Sequence, residues 1–117
     1  MGVESVCLQI KRGDTWSRTI YFEDADGNSI DITGWTIFFT VKENADDLDA
    51  DAIISKTITT FPNPTAGEAE IVLTSSDTAQ TIENYLFDIQ IKTNLGEIIT
   101  VVEGIITITQ DITIRTS

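Results

Sequence analysis

Apolar and polar residues alternate in short runs along most of this chain, as in Trp35-Thr36-Ile37-Phe38-Phe39-Thr40-Val41 and Ile105-Ile106-Thr107-Ile108-Thr109. A β-strand turns successive side chains to opposite faces, so a period of two marks a strand with one face on a core and the other in water. The runs are rich in isoleucine, threonine, valine and phenylalanine, which pack well on a pleated surface. An all-β domain is therefore expected. The chain contains no histidine, the commonest general base in enzymes, which points to a scaffold or binding module rather than a catalyst.

The pattern predicts strands over residues 5–10, 15–23, 29–32, 35–41, 52–60, 68–73, a strand from residue 85, then 97–102 and 105–109. Trp16, Ile20 and Phe22 share one face of the second, with Arg18 between them. Trp35, Ile37, Phe39 and Val41 share a face of the clearest strand, as do Ala69, Ile71 and Leu73 in 68–73. Tyr85, Phe87, Ile89 and Ile91 form another apolar face, with Asp88, Gln90 and Lys92 turned to water. Trp35, Ile37, Phe39, Ile71, Tyr85, Phe87 and Ile89 are the expected core. Phe38 is out of phase with Trp35 and Phe39, and three roles are open to it: covering a sheet edge, filling a second apolar layer, or meeting a partner.

Gly13-Asp14, residues 24–28, residues 61–67 with Pro62 and Pro64, and residues 93–96 read as connections. Residues 43–51, with Asp46, Asp47, Asp49 and Asp51, read as a solvated loop. Residues 74–82 read as a polar crossover with a helical turn capped by Ser76 or Asp77. Gly104 is read as a break between two strands, and Ile112-Thr113-Ile114-Arg115 as a last strand or an arm. Strands recurring about every 8 to 12 residues fit an antiparallel two-sheet β-sandwich of about seven to nine strands. One domain spanning residues 1–117 is expected, long enough for a core without disulfides or metal.

Charge narrows the partners. Nineteen Asp and Glu against seven Lys and Arg give a net charge of −12, which repels a phosphate backbone, so nucleic acid is excluded as a ligand. Anionic membrane surfaces are disfavoured for the same reason, and no apolar run approaches the roughly 20 residues of a membrane span. The start, Met-Gly-Val-Glu-Ser-Val, has neither the basic nor the apolar region of a secretory signal, and synthesis in a cytoplasm is expected. Cys7, the single cysteine, sits in an alternating segment and reads as a small apolar residue without an activating neighbour.

No constellation of reactive side chains stands out. The run Asp24-x-Asp26-x-Asn28 resembles the start of a calcium loop, but its glycine is fourth rather than sixth and Trp35 stands where a bidentate Glu is needed. It reads as hairpin geometry. The acidic loop could gather carboxylates around calcium, yet reads as solvated; zinc and haem lack histidine ligands. A pair of carboxylates could in principle cleave glycosides, but every Asp and Glu falls at a turn or on a polar strand face. No catalytic, cofactor or metal residues are assigned, and no small-molecule substrate is expected.

The order of motifs resembles a family of Ig-like β-sandwich domains in tailed bacteriophages, best known as the N-terminal domain of baseplate upper proteins. The matching residues are Gly13-Asp14-Thr15, Asp26-Gly27-Asn28 leading into Ile30-Asp31-Ile32-Thr33-Gly34-Trp35, then Gly67-Glu68-Ala69-Glu70-Ile71-Val72-Leu73-Thr74 and Asp77-Thr78. Tyr85-Leu86-Phe87-Asp88-Ile89, Gly96, Thr100 and the stretch from Gly104 to Thr113 complete them. The resemblance implies a non-catalytic virion protein of a phage or prophage tail or baseplate, joined to other tail proteins and to copies of itself. No helical linker or receptor-binding domain follows in this sequence. Phe38, Ile112 and Ile114 are the candidate partner-binding residues. The alternative is a carbohydrate- or cell-surface-binding sandwich, which would expose an aromatic platform such as Phe38 or Trp16 beside polar side chains.

Overall fold

The computed structural model describes residues 4–44, 46 and 52–110. Among them run seven strands: β1 (Glu4–Lys11), β2 (Trp16–Tyr21), β3 (Thr36–Lys42), β4 (Ile54–Ile58), β5 (Glu68–Leu73), β6 (Asn84–Lys92) and β7 (Ile98–Thr109). One helical turn, α1 (Ser75–Thr78), precedes β6. The strands form a five-stranded sheet, β1-β7-β6-β3-β4, and a two-stranded sheet of β2 and β5. The all-β sandwich read from the alternation is the fold. Pairing is antiparallel throughout except between β1 and β7, which run parallel. Alternation dictates which face a side chain takes and carries nothing about strand direction, so this departure was invisible in the sequence.

The inner faces meet in one apolar cluster. Every expected core residue is buried, and Ile32, Ile91, Ile106 and Ile108 join them. Phe39 packs on Phe87 with ring centroids 5.8 Å apart, and Phe22 meets Trp35 edge-on at 5.6 Å. Each such side chain removed from water contributes about 1.5–3 kcal/mol. Trp16, placed with the core aromatics by its phase, is only half-buried, because it stands at the start of β2 over an open groove beside β1.

Tyr85 does more than fill space. Its hydroxyl donates to the Thr81 carbonyl at 2.6 Å, while burial and the neighbouring Glu83 carboxylate push the phenol up to about 12. It is thus a neutral donor at physiological pH. A tyrosine at the start of strand F, bonded to backbone just upstream, is the tyrosine corner of immunoglobulin-type sandwiches. In those folds strands C, F and G share one sheet while B and E lie in the other. β3, β6 and β7 against β2 and β5 show the same partition.

Three local expectations are corrected. Residues 29–32 form no strand, only a bridge between Glu23 and Ser29. There the Asp31 carboxylate accepts from the Thr33 hydroxyl at 2.6 Å and the Thr33 N–H at 2.9 Å, local bonds that compete with a ladder. The same bonds hold its carboxyl below the usual range. Residues 97–102 and 105–109 are one strand, because Gly104 serves close approach rather than a turn: a Cβ there would overlap the Val6 carbonyl of β1. An extra residue, Val101, is accommodated between the pairs Ile89–Val102 and Gln90–Thr100 as a bulge.

The N-cap of α1 is Thr74 rather than Ser76 or Asp77. The Asp77 N–H donates to the Thr74 hydroxyl at 3.2 Å, and the Thr74 N–H donates to the Asp77 carboxylate at 2.8 Å, a reciprocal capping box. Partial burial opposes charge on Asp77, but Lys56, whose Nζ lies 2.7 Å away, and the Thr74 bonds hold its carboxyl below the usual range. The buried Thr78 hydroxyl donates to the Asp14 carbonyl at 2.7 Å, tying α1 to the β1–β2 turn.

Candidate functional site: the outer face of the five-stranded sheet

Ladder register places Ser5, Cys7 and Gln9 of β1, Glu103, Ile105 and Thr107 of β7, Leu86, Asp88 and Gln90 of β6, and Phe38 and Thr40 of β3 on the outer face. Nothing among the described residues covers it. Ile105 stands between Cys7 and Leu86 in one cross-strand row, and Ile105 and Leu86 are each 40% exposed. Phe38 lies half-buried between Gln90 and Thr57, and Ile98 projects at the far end of β7. Phe38, Leu86, Ile98, Ile105, Gln90 and Glu103 line a shallow concavity of about 750 Å³. An apolar set of this kind with a polar surround is the usual composition of a protein contact surface.

Polar groups on this face bond to one another across the ladder. Gln90 donates to the Thr100 hydroxyl at 3.2 Å, and the Thr107 hydroxyl donates to Asn84 at 2.7 Å. Asp88 and Glu103 are direct cross-strand neighbours of like charge. No group of three or more His, Cys, Asp or Glu placed to hold a metal occurs among the described residues.

Of the candidate partner residues, Phe38 faces this concavity, whereas Ile112 and Ile114 lie outside the described residues. Leu86, Ile98 and Ile105 were missed. Their signal was present in Tyr85-Leu86-Phe87, Ile98-Ile99 and Ile105-Ile106, where an apolar residue occupies the polar phase as in Phe38-Phe39. Cys7 is exposed on this face rather than packed in the core, because its neighbours Val6 and Leu8 take the inward phase.

The calcium-like run is a turn. Asp24 Oδ1 accepts from the N–H groups of Asp26 at 2.9 Å and Asn28 at 3.0 Å, and the Asp24 N–H donates to the Asn28 carbonyl at 2.9 Å. Of the acidic loop, Glu43, Asn44 and Asp46 are described and exposed, and Asp47, Asp49 and Asp51 lie outside the described residues. No helix among the described residues is long and apolar enough to cross a membrane. No protein-family model matches the sequence, and neither does any curated protein.

Proposed function

We propose that this protein is a non-catalytic assembly module of a phage or prophage tail or baseplate, which joins other virion proteins through the outer face of its five-stranded sheet. The observation that carries the docking role is the apolar set Phe38, Leu86, Ile98 and Ile105, which nothing among the described residues covers, on a face whose other side packs on the core. Assignment to a phage particle rests on the motif resemblance. Contacts centred on these residues need no reactive chemistry, and like-charged copies require an apolar centre if they are to meet.

A glycan-binding role uses the same concavity, with Phe38 as platform beside Gln90 and Thr40. The three exposed aliphatic residues around it favour a protein surface, since sugars stack on aromatic rings and bond to polar groups. The test is cross-linking mass spectrometry on particles released from the host that carries the gene. Cross-links from the outer face to tail proteins support the reading. Absence of the protein from particles, or binding of the isolated chain to a glycan panel through Phe38, overturns it.

A further inference from the structure

The two sheets differ in width, and the mismatch opens a second site. At a spacing of about 4.8 Å, five strands span about 19 Å and two strands about 5 Å, so β2 and β5 cannot roof the whole inner face of the larger sheet. On the flank of β1 and β7 a groove of about 270 Å³ remains, floored by Val6, Leu8 and Val102 and walled by Trp16 and Ile20 of β2. That volume falls below typical small-molecule pockets of about 300–1,000 Å³ and suits inserted side chains.

The wall of this groove is a free sheet edge. β2 pairs only with β5 among the described residues, and Phe22 donates to the Gly67 carbonyl in register with that ladder. Antiparallel alternation then directs the N–H and C=O groups of Ser17, Thr19 and Tyr21 away from β5, and all three residues are exposed. Unpaired backbone beside an apolar slot specifies an extended strand, which satisfies the edge while alternate side chains enter the slot.

Charge specifies that strand further. Arg18 lies on the inward phase of β2 at the groove, no Asp or Glu lines it, and Arg18 has no carboxylate partner among the described residues. In a chain carrying nineteen acidic residues this is a local reversal of sign. An inward-phase charge blocks indiscriminate pairing at an edge and admits a strand that brings the opposite charge.

We infer that this groove takes an extended strand of a partner protein, added to the free edge of β2, with apolar side chains in the slot and a carboxylate against Arg18. The site is separate from the outer face of the five-stranded sheet, so neither depends on the other.

The probe is a fluorescent decapeptide of alternating threonine and isoleucine with one isoleucine replaced by glutamate, compared with a lysine version and a scrambled version. Anisotropy should show the glutamate peptide binding at least about tenfold more tightly than the lysine peptide, a difference of about 1.4 kcal/mol. Arg18→Glu should reverse the preference, a readout that a merely structural arginine would not give. Amide exchange should slow at Ser17, Thr19 and Tyr21 when peptide binds. Equal affinity for the scrambled peptide, an unchanged preference in Arg18→Glu, or unprotected β2 amides would overturn the inference. So would protection of those amides in the free protein through a dimer, which would make a second copy the occupant. Outer-face variants such as Leu86→Lys should leave peptide binding intact, which keeps the two sites distinguishable.

Discussion

Phe38 and Phe39 are consecutive residues of the same type on one strand, and the pleat sends them to opposite fates. Phe39 is fully buried against Phe87, while Phe38 faces outward, half-buried, with no second sheet over it among the described residues. Over Phe39 the inner face is covered by β2, β5 and the segments carrying Phe22, Ile32 and Trp35, and the flank of β1 and β7 stays open as a groove. What differs is the covering layer and not the residue. One face therefore supplies stability, and the other keeps apolar surface available for contact.

The largest break in that comparison comes from truncating each ring. Phe39→Ala should cost about 3–5 kcal/mol, the usual loss for a buried aromatic, whereas Phe38→Ala should cost under about 1 kcal/mol and leave the fold intact. Denaturant titration of both variants measures the gap. Equal losses would erase the distinction between the two faces.

Next comes Gly104, which lets β1 lie against β7. Gly104→Val sets a side chain against the Val6 carbonyl and should destabilise by roughly 1–3 kcal/mol, read as a lower melting temperature in circular dichroism. Amide exchange should rise first along β1 while the amides paired in the β2–β5 ladder stay protected. A variant with wild-type stability would mean that the parallel pair is dispensable.

A smaller effect isolates the tyrosine corner. Because the Tyr85 phenol is raised to about 12 from an unfolded value of about 10, its contribution is complete below pH about 10 and is lost as pH rises through about 12. Tyr85→Phe removes the bond to Thr81 and should cost about 1 kcal/mol at neutral pH. It should also flatten that alkaline decline. An identical alkaline profile in the variant would assign the decline to other groups.

Much of this architecture was legible because alternation is a strong signal where one face is buried. Residues 68–73 and the inward phases of β3 and β6 follow directly from it. Residues 29–32 misled because Asp31 takes its bonds from Thr33, a local competition that a hydropathy pattern does not register. Gly104 misled because a glycine that opens a turn and one that admits a neighbouring backbone look alike in sequence. The outer face was legible only through Phe38. Leu86, Ile98 and Ile105 resembled ordinary strand residues until ladder register put them beside one another. The β2 groove was not legible at all, since it arises from the unequal widths of the sheets.

The most direct measurement uses Cys7, exposed on the outer face in the row of Ile105 and Leu86. Maleimide labelling of this thiol can be followed in the free protein and in assembled particles without any substitution. If the outer face is the docking surface, the thiol reacts readily in the free chain and is strongly protected in the particle, with protection lost in Leu86→Lys. Equal labelling rates in free and assembled protein would contradict the account and leave the outer face as solvent-exposed surface.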